Sequence, residues 1–128
     1  MAAMIYLDTH VVVWLYAGLT TRLRPAARDL LNTSDLAISP MVCLELQYLY
    51  ETGRTTELGS PVVQDLSQRI GLHVHEESFQ HIIALAVQQT WTRDPFDRII
   101  VGQAALHQTT LVTKDRAMRK HYPHAFWS

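Results

Sequence analysis

An open parallel β-sheet with α-helices on both faces, a three-layer α/β architecture, is the fold class this sequence predicts. Two observations predict it. Short apolar runs rich in strand-forming residues recur along the chain, and each is separated from the next by a stretch with helical periodicity or helix-start chemistry. That alternation belongs to parallel sheets whose strands are covered on both sides. A length of 128 residues with 48% hydrophobic content then fits one domain, 1–128, with a filled core.

The elements follow in order. Residues 4–7 (Met-Ile-Tyr-Leu) form a first strand that stops at Asp8-Thr9, and residues 11–17 open a buried helix. Pro25, at a helix start, leads into residues 26–31, which Asn32-Thr33-Ser34 terminates. Residues 36–39 make a second strand. Ser39-Pro40 is an N-cap and first-turn pair for a helix over 41–52 closed by Gly53. After a polar loop over 54–60, a helix spans 61–69 and ends at Gly71. Residues 72–75 alternate like a strand, and 78–90 carry helical periodicity. Asp94-Pro95 starts another helix that runs to about 107. A strand over 110–113, a short helix over 115–120 and a tail at 125–127 complete the chain.

Composition narrows the function classes. The net charge of −1 gives no uniformly basic surface, yet its distribution is uneven. Residues 1–92 hold five Lys/Arg against nine Asp/Glu, whereas residues 93–128 hold six against three. A cationic rim around an anionic centre suits a phosphate substrate with a bound cation, and a solvated helical surface gives the same count. The lone Cys43 forms no internal disulfide, which favours a reducing compartment. The apolar stretch 4–19 contains Asp8 and His10 and lacks a basic leader, so it reads as neither signal peptide nor membrane span. The expectation is a soluble, cytoplasmic protein with no membrane partner. Seven histidines fall in no metal-ligand spacing, and five scattered glycines make no phosphate loop.

Four acids carry the chemistry. Ligands of open α/β sheets sit beyond the carboxyl ends of the strands. Asp8 directly follows the first strand and Asp115 lies two residues past the 110–113 strand, so both project from one rim, although each also suits a helix N-cap. Glu45 is flanked by Leu44 and Leu46 and shares its helical face with Met41, Tyr48 and Leu49. A carboxylate there is costly unless something pairs with it. Asp97 occupies the third helical position on the stripe continued by Ile100, Val101 and Ala104, and so points towards the sheet rim. Asp94 reads first as the N-cap of that helix. Gly102, Ala104 and Ala105 are small enough to let the helix approach the sheet closely. At ~5 Å and an effective dielectric of ~20, each like-charged carboxylate pair costs roughly 3 kcal/mol. Such a cluster persists when cations neutralise it or when some members are protonated. All-oxygen donor sets suit Mg²⁺ or Mn²⁺, which promote in-line phosphoryl displacement.

These acids and their neighbours resemble the PIN domain family, specifically the VapC-type toxins of bacterial toxin–antitoxin pairs. The resemblance rests on Tyr6-Leu-Asp-Thr-His10, Ile38-Ser-x-x-x-x-Leu-Glu45, Asp94-Pro-Phe-Asp-Arg-Ile-Ile-Val-Gly-Gln-Ala104 and Leu111-Val-Thr-Lys-Asp115, with residues 122–127 similar to the family's final strand. It spans essentially the whole chain, and the third piece is the most specific. One departure is Val101-Gly-Gln in place of an alanine-rich stretch, which affects packing and no ligand. The resemblance implies a three-layer parallel fold and a Mg²⁺- or Mn²⁺-dependent endoribonuclease that cleaves RNA with metal-activated water. It implies catalytic and metal-ligand roles for Asp8, Glu45, Asp97 and Asp115, support from Thr9 or Thr113, and an outer or additional acid at Asp94. It also implies a small antitoxin partner and a homodimer, with the helix bearing Tyr48, Leu49 and Tyr50 as a candidate contact surface. Arg93, Arg98 and Arg116 are candidate substrate contacts on charge clustering alone. The alternative is a catalytically degenerate module of this fold that binds RNA or protein, but such a module has no reason to keep a repulsive cluster. A phosphoryl-accepting signalling domain lacks its paired acids, since Thr9-His10 follows Asp8 and no acid directly follows Ile38-Ser39.

Overall fold

In the computed structural model, which describes residues 2–128, the first strand β1 is Met4–Leu7 and the helix α1, Thr9–Ala17, follows it without a loop. The helix starts two residues earlier than expected because Asp8 caps it, its side chain accepting from the Thr9 amide. A 3-10 turn at Thr20–Arg22 leads to α2 (Pro25–Asn32) and β2 (Asp35–Ile38). Next come α3 (Pro40–Glu51), α4 (Gly59–Ile70), β3 (His73–Val74) and α5 (Phe79–Ala86). The chain closes with α6 (Pro95–Ala105), β4 (Leu111–Val112), α7 (Arg116–His121) and β5 (Ala125–Phe126).

All pairings are parallel, in the order β3-β2-β1-β4-β5. Strand β1 is therefore central, with Met4 opposite Asp35 on one side and Tyr6 opposite Leu111 on the other. Successive residues of β1, β2 and β4 point to opposite faces, and Ile5, Tyr6, Leu7, Leu36, Ala37, Ile38, Leu111 and Val112 are all buried. Both faces of the sheet are covered, as the continuous apolar runs require. The direction of connection reverses between β1 and β4, which makes their carboxyl ends the switch point where ligands of such sheets bind.

Three expectations need correction. The helix expected over 78–90 ends at Ala86, because the Arg98 guanidinium takes the carbonyls of Ala86 and Val87 and the chain then turns away. The small residue Gly102 brings α6 close to α5 rather than to the sheet. A Cβ there would stand 3.0 Å from the Ala86 nitrogen and 3.0 Å from the Ile82 carbonyl oxygen. Gly59 plays the same part where α4 begins against α3, with a Cβ 3.0 Å from the Leu46 Cβ and 3.1 Å from the Gln47 nitrogen. That contact explains why α4 starts before the expected Pro61.

Since backbone atoms line the gap at Gly102, a branched side chain must push α5 and α6 apart. Gly102→Val is expected to lower unfolding free energy by roughly 1–3 kcal/mol in a urea titration. An unchanged midpoint would refute the tight α5–α6 contact.

Candidate active site

Asp8 sits at the seam between the two central strands. Its amide donates to the Val112 carbonyl (3.0 Å), which extends β1–β4 pairing by one bond. Its carboxylate works in two directions, Oδ1 accepting from the Thr9 amide (2.8 Å) and Oδ2 from the Thr113 hydroxyl (2.7 Å). The same hydroxyl oxygen accepts from the Asp115 amide (3.0 Å), so Thr113 joins the two acids that end the two strands. Asp115 caps α7, its Oδ1 accepting from the Met118 amide (3.0 Å). For Asp8 and Asp115, capping and a place on the rim are thus compatible roles of one side chain.

Glu45 arrives from the second turn of α3, with only 9% of its surface exposed. Its Oε1 accepts the Thr9 hydroxyl proton, which fastens α3 to the start of α1. From α6 come Asp94, whose Oδ1 caps the helix by accepting from the Phe96 amide (2.8 Å), and Asp97 one turn in. Glu45, Asp94 and Asp97 each place a carboxylate oxygen within 4.8 Å of the others. Among the described residues, no other group of three His, Cys, Asp or Glu side chains meets that separation. The helix-capping role expected for Asp94 is present, but its carboxylate also lies nearer Glu45 and Asp97 than an outer position implies. Nothing in the sequence separates these two roles, because an N-cap alone accounts for Asp94-Pro95.

The electrostatics tie all five acids together. The Asp97 carboxyl is pushed up to about 8, by burial first and then by the charges of Asp94, Asp8, Asp115 and Glu45. Burial also raises Asp8, against the lowering effect of its bonds from Thr113 and Thr9, and Asp115 raises it further. Glu45 is raised by burial and by Asp8 and Asp94, with the Thr9 bond opposing. Hard oxygen donors at this density, short of positive partners, fit a divalent cation such as Mg²⁺ or Mn²⁺.

The remaining candidates separate. Arg93 and Arg116 are exposed beside Asp94 and Asp115, with an Arg93 Nη1 proton donated to the Thr90 carbonyl (2.8 Å). Arg98 is turned to the end of α5, where Nε and Nη2 donate to Ala86 (3.1 Å) and Val87 (3.0 Å) carbonyls. On α3, Tyr48 and Tyr50 are exposed, but Leu49 is buried in the core and is not available to a partner. Trp14, within the helix expected over 11–17 and one turn after His10, lines a cleft with Asp8 and Asp115.

The raised carboxyls fix the sign of a pH effect. The folded, metal-free protein keeps protons that the unfolded chain loses above about pH 4. The stability from this difference is complete below that range and is lost as pH rises through about 8. The melting temperature in EDTA should therefore fall between about pH 5 and about pH 8.5, with a flatter fall in Asp97→Asn. Saturating Mn²⁺ should raise it most at the alkaline end. A fall of equal slope in Asp97→Asn would contradict a half-buried Asp97 repelled by its acidic neighbours. Separately, Thr113→Val should cost about 1–3 kcal/mol in chemical denaturation, since it strips partners from both Asp8 and the Asp115 amide.

Among the described residues no helix is long and apolar enough to cross a membrane. The PIN domain family model matches residues 5–122. A curated protein, Ribonuclease VapC22 of Mycobacterium tuberculosis (strain ATCC 25618 / H37Rv), is 34% identical over 121 residues, covering 91% of each chain. The fold is shared with VapBC2 from Rickettsia felis, solved bound to a DNA fragment from its promoter, at a TM-score of 0.68 and 19% identity over 98% of this chain and 99% of that one. It is shared also with a toxin–antitoxin complex from Klebsiella pneumoniae, at a TM-score of 0.64 and 21% identity over 95% of each chain. With the family model matching residues 5–122 and a relative 34% identical over 91% of the chain, the chain belongs to the PIN domain family.

Proposed function

We propose that the protein is a Mg²⁺- or Mn²⁺-dependent endoribonuclease that acts as the toxin of a toxin–antitoxin pair. The observation that carries this reading is the convergence of Glu45, Asp94 and Asp97, with the charges of Asp8 and Asp115 adding to the rise that burial and Asp94 impose on the Asp97 carboxyl. A fold that only binds gains nothing from such a cluster, whereas a nuclease needs it. The ribonuclease name of the Mycobacterium tuberculosis relative supports RNA as the substrate, and the toxin–antitoxin complexes among the structural neighbours support an antitoxin as partner.

In this reading Asp8, Glu45, Asp97 and Asp115 hold the cation and are the catalytic carboxylates, with Asp94 as a further acid. A bound dication supplies charge neutralisation at a phosphate oxygen and makes an attacking water more acidic. The chain's own groups do the rest. Thr9 fixes Glu45, and Thr113 fixes Asp8, so neither carboxylate has to reorganise during the reaction. Arg93 and Arg116 flank the acids and draw the phosphodiester backbone. Arg98, engaged with the end of α5, positions α6 and its two aspartates. The exposed Phe79 (65%) and Leu44 (56%) border an apolar groove with Met41, Ile82 and Ile99, a surface suited to a protein partner, whether antitoxin or a second copy.

Asp8→Asn and Asp97→Asn are each expected to abolish cation-dependent cleavage of RNA on a denaturing gel while preserving the circular-dichroism spectrum. Asp97→Asn should also melt at a higher temperature than wild type in EDTA at about pH 8.5, because it removes the most strained charge. Full cleavage by either variant would refute the assignment.

A further inference from the structure

Beside the carboxylates lies a small cleft of about 290 Å³ walled by Asp8, His10, Trp14, Lys114 and Asp115. Two of its walls belong to the acidic centre, so whatever fills it adjoins a phosphate held there. The other three offer an aromatic face, an imidazole and an ammonium group. That is poor chemistry for a hard cation and good chemistry for a nucleotide.

Trp14 is the centre of this wall. Its ring leans on Trp127 at 5.9 Å and 56°, and His10 stands 6.3 Å away on the same helix. The Lys114 ammonium lies over the indole 5.8 Å from its centroid, and the Arg22 guanidinium lies over it at 6.0 Å. These cations come from opposite ends of the chain, and neither forms an ion pair among the described residues. Cation–π contacts are worth only about 0.5–1 kcal/mol near water, so a base that stacks on the indole displaces these long side chains from it at little cost. An indole with two long cationic side chains over it, in a cleft shared with Asp8 and Asp115, matches the stacking platforms of single-strand nucleic-acid grooves.

We propose that Trp14 stacks the nucleobase next to the phosphate held at the acidic centre, while Lys114 and Arg22 take the flanking phosphates of single-stranded RNA. The proposal rests on the nuclease reading of the five acids. A stacked base must be out of a duplex, so the platform selects loops and unpaired strands over helical RNA. It also supplies grip without base-edge readout, because every base has a π-face. Sequence preference then has to come from other contacts, with His10 the nearest side chain on the same wall.

The test uses short single-stranded RNAs with 2-aminopurine at successive positions, titrated against Asp97→Asn protein so that cleavage does not interfere. One position should be quenched on binding. Adding Trp14→Leu, which keeps apolar packing against Trp127 without a π-face, should remove that quench and weaken binding roughly 5- to 100-fold, whereas Trp14→Phe should retain it. Lys114→Ala should weaken binding of all the RNAs alike and reduce the salt slope by about 1. A quench that persists in Trp14→Leu, or equal quenching at every position, overturns the platform. On wild-type background, cleavage with unchanged KM and cut sites in Trp14→Leu overturns the platform and leaves the nuclease reading intact. A wild-type chain that neither binds nor cuts RNA removes both.

Discussion

Asp8 carries a bond to each of the structures that meet above the central strands. Its backbone extends the pairing of β1 with β4, one carboxylate oxygen starts α1, and the other is held by the Thr113 hydroxyl at the end of β4. The side chain is 6% exposed, so removing any of these partners leaves a buried acceptor unpaired, and the position tolerates little change. The constraint reaches further through Thr9, which lies next in sequence and binds Glu45 on α3. Two threonine hydroxyls therefore place acids from three separate segments against one another.

This arrangement sets stability against chemistry. Burial and mutual repulsion raise the Asp8, Glu45 and Asp97 carboxyls together, which opposes folding at neutral and alkaline pH. The opposing contribution comes from the sheet, whose three inner strands bury side chains on both faces, and from the close-set pair α5 and α6. Arg98 belongs to the same scheme. By closing the end of α5 it holds α6 in place, and with it the aspartates at the beginning of that helix. A basic residue near an acidic centre thus serves the architecture, although its charge alone suggested substrate contact.

The sequence was informative where a local pattern has one physical cause. Residues 4–7 and 36–38 read as inner strands because continuous apolar character over so few residues has little other use, and Asp97 was placed on the buried side by the stripe of Ile100, Val101 and Ala104. Glu45 stood out through its apolar flanks. Legibility failed where a residue's role is set by a distant partner. The periodicity of 78–90 continues past Ala86, but a guanidinium from α6 ends the helix. Gly102 looked like a sheet contact because small residues say only that something is near, not what. Asp94 read as a cap, which it is, and its closeness to Glu45 depends on how α3 and α6 lie together. The edge strands β3 and β5 are two residues long and owe their form to neighbours more than to their own composition.

The strand order has a temporal consequence as well. Tyr6 pairs with Leu111, so the middle of the sheet is completed only when a segment far downstream of β1 has been made. Contacts of such long range close slowly, and until they do Asp8 has neither Thr113 nor Asp115 beside it. A nascent polypeptide that still lacks the β4 segment can hold only part of the carboxylate set. The acidic centre thus matures with the sheet and not before it.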